Sequence, residues 1–157
     1  MKFQDMARGI IDANRYMVLG TLDPDGRPRV SPVFYAPDGY STFYWISGQD
    51  THHSRNLADR AEVSLVIFDS TAPVGQGAAV YLIATAAQVP DAEFDQVVEL
   101  ATRPRFPEQR RFPREELQGA APFRLYRARV SEHSVHVRGG DPEYGTGVDS
   151  RRVVDLR

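Results

Sequence analysis

The sequence predicts a mainly β fold with peripheral helices, and three observations lead there. Two turn sequences, Asp23-Pro24-Asp25-Gly26 and Pro37-Asp38-Gly39, separate three short runs of strand formers, which read as two consecutive hairpins. Further apolar runs at Glu62 to Phe68, Ala78 to Val89 and Phe123 to Val130 are bounded by polar or turn-rich segments. Helical spacing is confined to short stretches between them. An all-β or α+β chain follows. Its 157 residues form one domain, and a fold of this size buries roughly 68 to 70% of the surface of its unfolded chain, enough for a core without staples. Residues 1–157 are therefore read as a single domain with a polar helical excursion at 90–120 and a C-terminal arm at 139–157.

The first element is a helix from Phe3 to Asn14, because Phe3, Met6, Ala7, Ile10 and Ile11 recur at spacings of three and four and share one face. Arg15 to Leu22 is a strand that reverses at Asp23-Pro24-Asp25-Gly26. Pro28 to Ala36 is the return strand and Thr42 to Ser47 the third, which gives an antiparallel meander. Thr51 to Arg60 is a helix with Thr51 or Ser54 as its cap, and it leads into a strand at Glu62 to Phe68. After the loop Asp69 to Gly77, Ala78 to Val89 reads as a strand, with a helix as the competing reading at Ala84 to Ala87. Asp91 to Ala101 is a helix with Asp91 as cap. Arg103 to Gln118 is a polar excursion ending in a short helix at Pro113 to Gln118, and its arginines are balanced by Glu108, Glu115 and Glu116. Phe123 to Val130 and Val135 to Val137 are two further strands, and Arg151 to Leu156 is either a short strand or a docking arm.

Composition removes several function classes. The chain has no cysteine, which excludes disulfides, iron-sulfur clusters, thiolate zinc sites and cysteine nucleophiles. A formal net charge of −2 gives no global attraction to a polyanion, so neither nucleic acid nor a membrane surface is an expected partner. No signal core or membrane-length apolar run is present, and a cytoplasmic address is the expectation. His52 and His53 are adjacent, His133 and His136 lie far along the chain, and no spacing matches a metal pattern. No G-x-S-x-G elbow supports a serine hydrolase. The glycines of Gly140 to Thr146 lack a phosphate-reaching lysine, and Gly75-Gln76-Gly77 lacks the third glycine of a dinucleotide fingerprint.

The informative residues are Tyr44 to Phe68 (YWISGQDTHHSRNLADRAEVSLVIF) together with Arg27 to Tyr35 (RPRVSPVFY). A strand ends at Ser47, a polar turn follows, and a helix begins around His53-Ser54-Arg55-Asn56. A helix start offers free N–H groups and a positive dipole end, so Ser54 and the fork of Arg55 make a cradle for a phosphate. The competing reading is a capping serine beside a solvated arginine.

In this order the motifs resemble the pyridoxamine 5'-phosphate oxidase family of FMN-binding split β-barrels. The resemblance runs from Tyr16 to Val89, with a weaker echo at Phe123 to Val137. It implies a Greek-key-like antiparallel split barrel that binds flavin mononucleotide (FMN). Carried across, Arg29, Val30, Ser31 and Pro32 lie along the flavin, with Arg29 near the phosphate or the ribityl chain. Trp45, Ile46 and Ser47 form the facing strand, and His53, Ser54, Arg55 and Asn56 lie at the phosphate end, with Ser54 and Arg55 as the clamp. Asn56 stands where the family often has lysine, which removes a cation. Ala79 stands at the family's glutamine position, with Gln76 three residues early, and the C-terminal signature that grips vitamin B6 is not evident in Gly139 to Arg157. The resemblance also implies a homodimer with cofactor at the interface, which gives Val80, Tyr81 and Leu82 a use beyond the monomer core.

Three functions fit. The first is an FMN-dependent oxidoreductase acting on a small molecule, in which the flavin carries the chemistry and no catalytic residue is assigned. The second is a deazaflavin-dependent reductase, whose longer acidic cofactor tail would draw on Arg103 to Arg114. The third is a flavin- or haem-binding protein without turnover.

Overall fold

The computed structural model describes residues 2–157. Helix α1 (Lys2–Ala13) buries Phe3, Ala7 and Ile11, one residue per turn, against the sheet core. Strands β1 (Tyr16–Leu22) and β2 (Pro28–Phe34) pair from Tyr16↔Phe34 to Leu22↔Pro28. Their turn closes where the Gly26 N–H donates to the Asp23 carbonyl at 2.8 Å, and Gly26 takes a φ of 86° that a side chain would resist. Strands β3 (Ala36–Asp38) and β4 (Thr42–Gly48) form the second hairpin.

Both hairpins form, but the meander joining them does not. The sheet order is β2-β1-β5-β6-β7-β4-β3, so β2 and β3, consecutive in sequence, lie at opposite ends of one sheet. The run predicted from Pro28 to Ala36 breaks at Tyr35. Its fully buried ring turns into the core and its hydroxyl donates to the Ile11 carbonyl at 2.6 Å, while its own carbonyl accepts from Arg105 at 2.5 Å. Its amide donates to the Arg15 carbonyl, so neither backbone group is free to continue a ladder. The result is a sheet curled into a split antiparallel barrel.

Helix α2 (His52–Asp59) crosses from β4 to β5 (Glu62–Phe68), which pairs with β1 and with β6 (Ala79–Gln88). Within β6, Ala84 and Ala86 are buried and Thr85 and Ala87 exposed, a period-two pattern that excludes the helical alternative. Helix α3 (Asp91–Thr102) has its cap one residue earlier than expected: Pro90 holds the capping position without a side-chain bond, and Asp91 is the first helical residue. There its carboxylate still favours the positive dipole end. A 3₁₀ turn at Arg114–Leu117 seats Leu117 in a second apolar cluster with Phe94, Val98 and Ala101.

The two strands expected after residue 123 are one, β7 (Phe123–Val137), 15 residues long. Its pairing with β6 passes from Ala84↔Val130 to Ile83↔Glu132, which leaves Ser131 as an extra residue. Tyr126 and Ala128 face the core before this bulge, and His133, Val135 and Val137 are buried after it. The predicted arm contains β8 (Ser150–Val154), a strand paired with the second half of β7. No helix among the described residues is long and apolar enough to cross a membrane.

Candidate functional site

The start of α2 is built by the turn that leaves β4. Thr51 caps the helix, its hydroxyl accepting from the Ser54 N–H at 3.2 Å. The Ser54 hydroxyl donates to the Gly48 carbonyl at 2.8 Å and lies 2.7 Å from the Thr51 hydroxyl. Ser54 is buried, so its side chain serves the turn and points into it. His53 Nε2 lies 2.9 Å from the Ser47 hydroxyl, and burial pushes the half-buried imidazole's pKa down, with neighbouring His52 adding to the shift. Arg55 is exposed, and among the described residues its guanidinium has neither hydrogen-bond nor ion-pair partner within the chain. No acidic residue stands in the first turn of α2.

Behind this start, Asn56 is buried and its amide nitrogen donates to Asp23 Oδ1 at 2.9 Å and to the Thr21 hydroxyl at 3.1 Å. Asp23 also takes a two-pronged ion pair from Arg29, Nε to Oδ1 at 2.7 Å and Nη2 to Oδ2 at 2.9 Å. The Arg29 bonds, and then that of Asn56, hold the Asp23 carboxyl at a pKa of about 2. The cluster follows from strand parity: Arg29 sits opposite Thr21 in the hairpin register, so both side chains share the face toward α2.

The structure brings Arg29, Ser47, His53, Ser54, Arg55 and Asn56 to one end of the barrel. It separates the rest of the predicted set. Ser31 shares the inner face with Arg29, while Val30 and Pro32 alternate to the outer face, where Val30 is 70% exposed. Trp45 is only 2% exposed, with its ring stacked on Tyr126 in the core. Ile46 points to the opposite side of β4 and lines a largely apolar cavity of about 270 Å³ with Phe34, Tyr44, Ala101 and Phe112. Asp23 and Thr21 were missed in sequence. Asp23 reads there as a turn residue, and only the pairing of Thr21 with Arg29 places it beside a cation.

The arginine-rich excursion folds onto α1, α3 and the break at Tyr35. Arg105 donates to the carbonyls of Tyr35, Ile11 and Asn14. Arg111 pairs with Glu99, Arg114 with Asp95 and Arg110 with Glu116. On the outer face of the sheet, Val30, Gly20, Ser64 and Ile83 stand in one cross-strand row and line a groove of about 370 Å³. Val80 and Leu82, expected at an interface, are buried in the core; only Tyr81 of that trio faces outward, because β6 alternates.

The sequence profile of the family described as pyridoxamine 5'-phosphate oxidase matches residues 3–136. No curated protein matches the sequence. Among solved structures, a candidate 5-nitroimidazole antibiotic resistance protein from Bacteroides thetaiotaomicron superposes with a TM-score of 0.68 at 15% identity, over 86% of this chain and 84% of that one. A heme binding protein from Mycobacterium smegmatis gives 0.70 at 19% identity over 96% of this chain, which spans only 57% of that protein. A FAD-binding protein from Mesorhizobium loti gives 0.61 at 18% identity, over 82% and 90% of the two chains. These likenesses establish a shared fold.

Proposed function

The chain belongs to the pyridoxamine 5'-phosphate oxidase family, and from that premise we propose that it is a cytoplasmic, homodimeric flavin-dependent oxidoreductase that binds FMN at the start of α2 and acts on a small molecule. The observation that carries the reading is Arg55: an exposed, unpaired guanidinium beside a capped helix start whose first N–H groups have no partner within the helix. A phosphate fits there. It does not fit at Arg29 and Asn56, which are closed onto the ionised Asp23. The flavin, when bound, supplies the redox chemistry. This chain's share is to hold the phosphate through Arg55, to offer Ser47 and the mainly neutral His53 as a hydrogen-bonded pair near the cofactor, and to present Ser31 and Arg29 toward its polyol.

The dimer is supported by the outer face of the sheet, where Val30 and Ile83, both more than half exposed, line the groove at Gly20. The deazaflavin alternative loses most of the cations it invoked, because Arg105, Arg110, Arg111 and Arg114 are engaged within the chain and only Arg103 is left exposed without a side-chain partner among the described residues.

The test is the visible spectrum of the purified protein, followed by anaerobic addition of a nicotinamide donor. A flavin spectrum that bleaches with donor and returns with air supports the oxidoreductase. Bound flavin inert to donors assigns a carrier, a Soret band assigns haem, and failure to take up any of these overturns the reading.

A further inference from the structure

We propose that Asp23 is a specificity-determining residue: it fills, from within the chain, the anion position that Arg29 and Asn56 would otherwise offer to a phosphate, so that this end of the site takes hydroxyl groups and the phosphate is left to Arg55 alone. The proposal rests on the flavin reading above and deepens it.

The geometry is that of a completed anion site. The Arg29 fork meets both carboxylate oxygens, at 2.7 and 2.9 Å, in the two-pronged arrangement that guanidinium makes with carboxylate and phosphate alike. The Asn56 amide adds a third donor at 2.9 Å and is itself fixed by Thr21 at 3.1 Å. Donors from β2 and α2 therefore converge on one acceptor supplied by the β1–β2 turn. The Asp23 side chain is 15% exposed and that of Arg29 37%, so the pair lies at the surface of the site. A phosphate approaching Arg29 would meet a like charge already seated there. Protonation does not relieve the conflict near neutrality, since the carboxyl titrates near 2. What the cluster can still offer is the outer edge of the guanidinium as donor and carboxylate lone pairs as acceptors, a pairing that suits the hydroxyls of a sugar alcohol.

The experiment compares the wild-type chain with Asp23→Asn, which is isosteric, and with Asp23→Ser. The hairpin turn uses the backbone carbonyl of Asp23 rather than its side chain, so two independent replacements guard against a folding failure. Inorganic phosphate is titrated by thermal shift against chloride at matched ionic strength, and FMN and riboflavin are titrated by fluorescence. Removing the carboxylate is expected to raise phosphate affinity and the ratio of FMN to riboflavin affinity about tenfold or more, with riboflavin itself binding more weakly because its hydroxyls lose an acceptor, and with the phosphate gain abolished by a second change, Arg29→Gln. Phosphate affinity equal to wild type in both variants overturns the proposal. A phosphate gain with no flavin binding in any variant sustains the role of Asp23 and removes the flavin reading instead. Flavin binding with an unaltered ratio of FMN to riboflavin does the reverse.

Discussion

The rings of Trp45 and Tyr126 stack across β4 and β7 with centroids 5.9 Å apart and planes inclined by 16°. Trp45 is the chain's single tryptophan, and its buried indole Nε1 has no hydrogen-bond partner. An unpaired buried donor offsets part of what the ring gains by burial. Trp45→Phe, which keeps a ring and removes the donor, is expected to change stability by no more than about 1.5 kcal/mol, whereas Trp45→Ala costs about 3 to 5 kcal/mol. Urea unfolding monitored by circular dichroism distinguishes the two.

Clamp and cap separate on α2. Arg55→Ala is expected to weaken FMN binding by about 1.5 to 3 kcal/mol and to leave the melting temperature unchanged, because the side chain holds nothing within the protein. Thr51→Ala has the opposite profile, a loss of about 1 kcal/mol of stability from the cap. An Arg55→Ala protein that melts early, or that binds FMN as before, contradicts the assignment.

Arg105 fastens the excursion to the point where the sheet divides, bonding three carbonyls and lying over the Tyr35 ring at 4.6 Å. Arg105→Ala is expected to cost about 2 to 3 kcal/mol, and Arg105→Lys to restore little of it, since an ammonium cannot serve that fork of carbonyls and stack as well. Chemical denaturation of both variants measures this.

Stability should fall on acidification in two windows. Burial lowers the pKa of both His53 and His133 from 6.5. A base with a depressed folded pKa binds fewer protons than the unfolded chain, so its contribution is complete above 6.5 and is lost as the pH falls through the folded value. Asp23, lowered from 3.8 to about 2, adds a second loss between those values. Melting temperature against pH shows the two descents. His133→Gln, which keeps a donor for the Tyr40 carbonyl, is expected to flatten the first.

Ile83→Glu and Val30→Glu put charge on the outer sheet face without touching the core, as both side chains are more than half exposed. Each is expected to shift the sedimentation coefficient from dimer to monomer, with the circular dichroism spectrum retained. A monomeric wild-type chain overturns the dimer.

Local elements were legible because their signals are local. The α1 face, the Asp23 to Gly26 turn, the β5 run and the Thr51 cap each depend on residues a few positions apart. Two features failed for a physical reason. The bulge at Ser131 reverses the inward parity of β7, so a single strand reads as an alternating run, a gap and a second run. The break at Tyr35 is set by Ile11 and Arg105, 24 and 70 positions away, which no window around residue 35 contains. The site shows the same division: Ser54, Arg55 and Asn56 were found as a motif, but what each side chain touches depends on Asp23 and Gly48.

Tyr35 alone spans from β2 to β3, the two extremities of the sheet. The circumference of the barrel is thus measured by a covalent tether one residue long. Inserting a few glycines there would slacken the curl, spread the strands beneath α2, and loosen the candidate site from its far side with none of its own side chains altered.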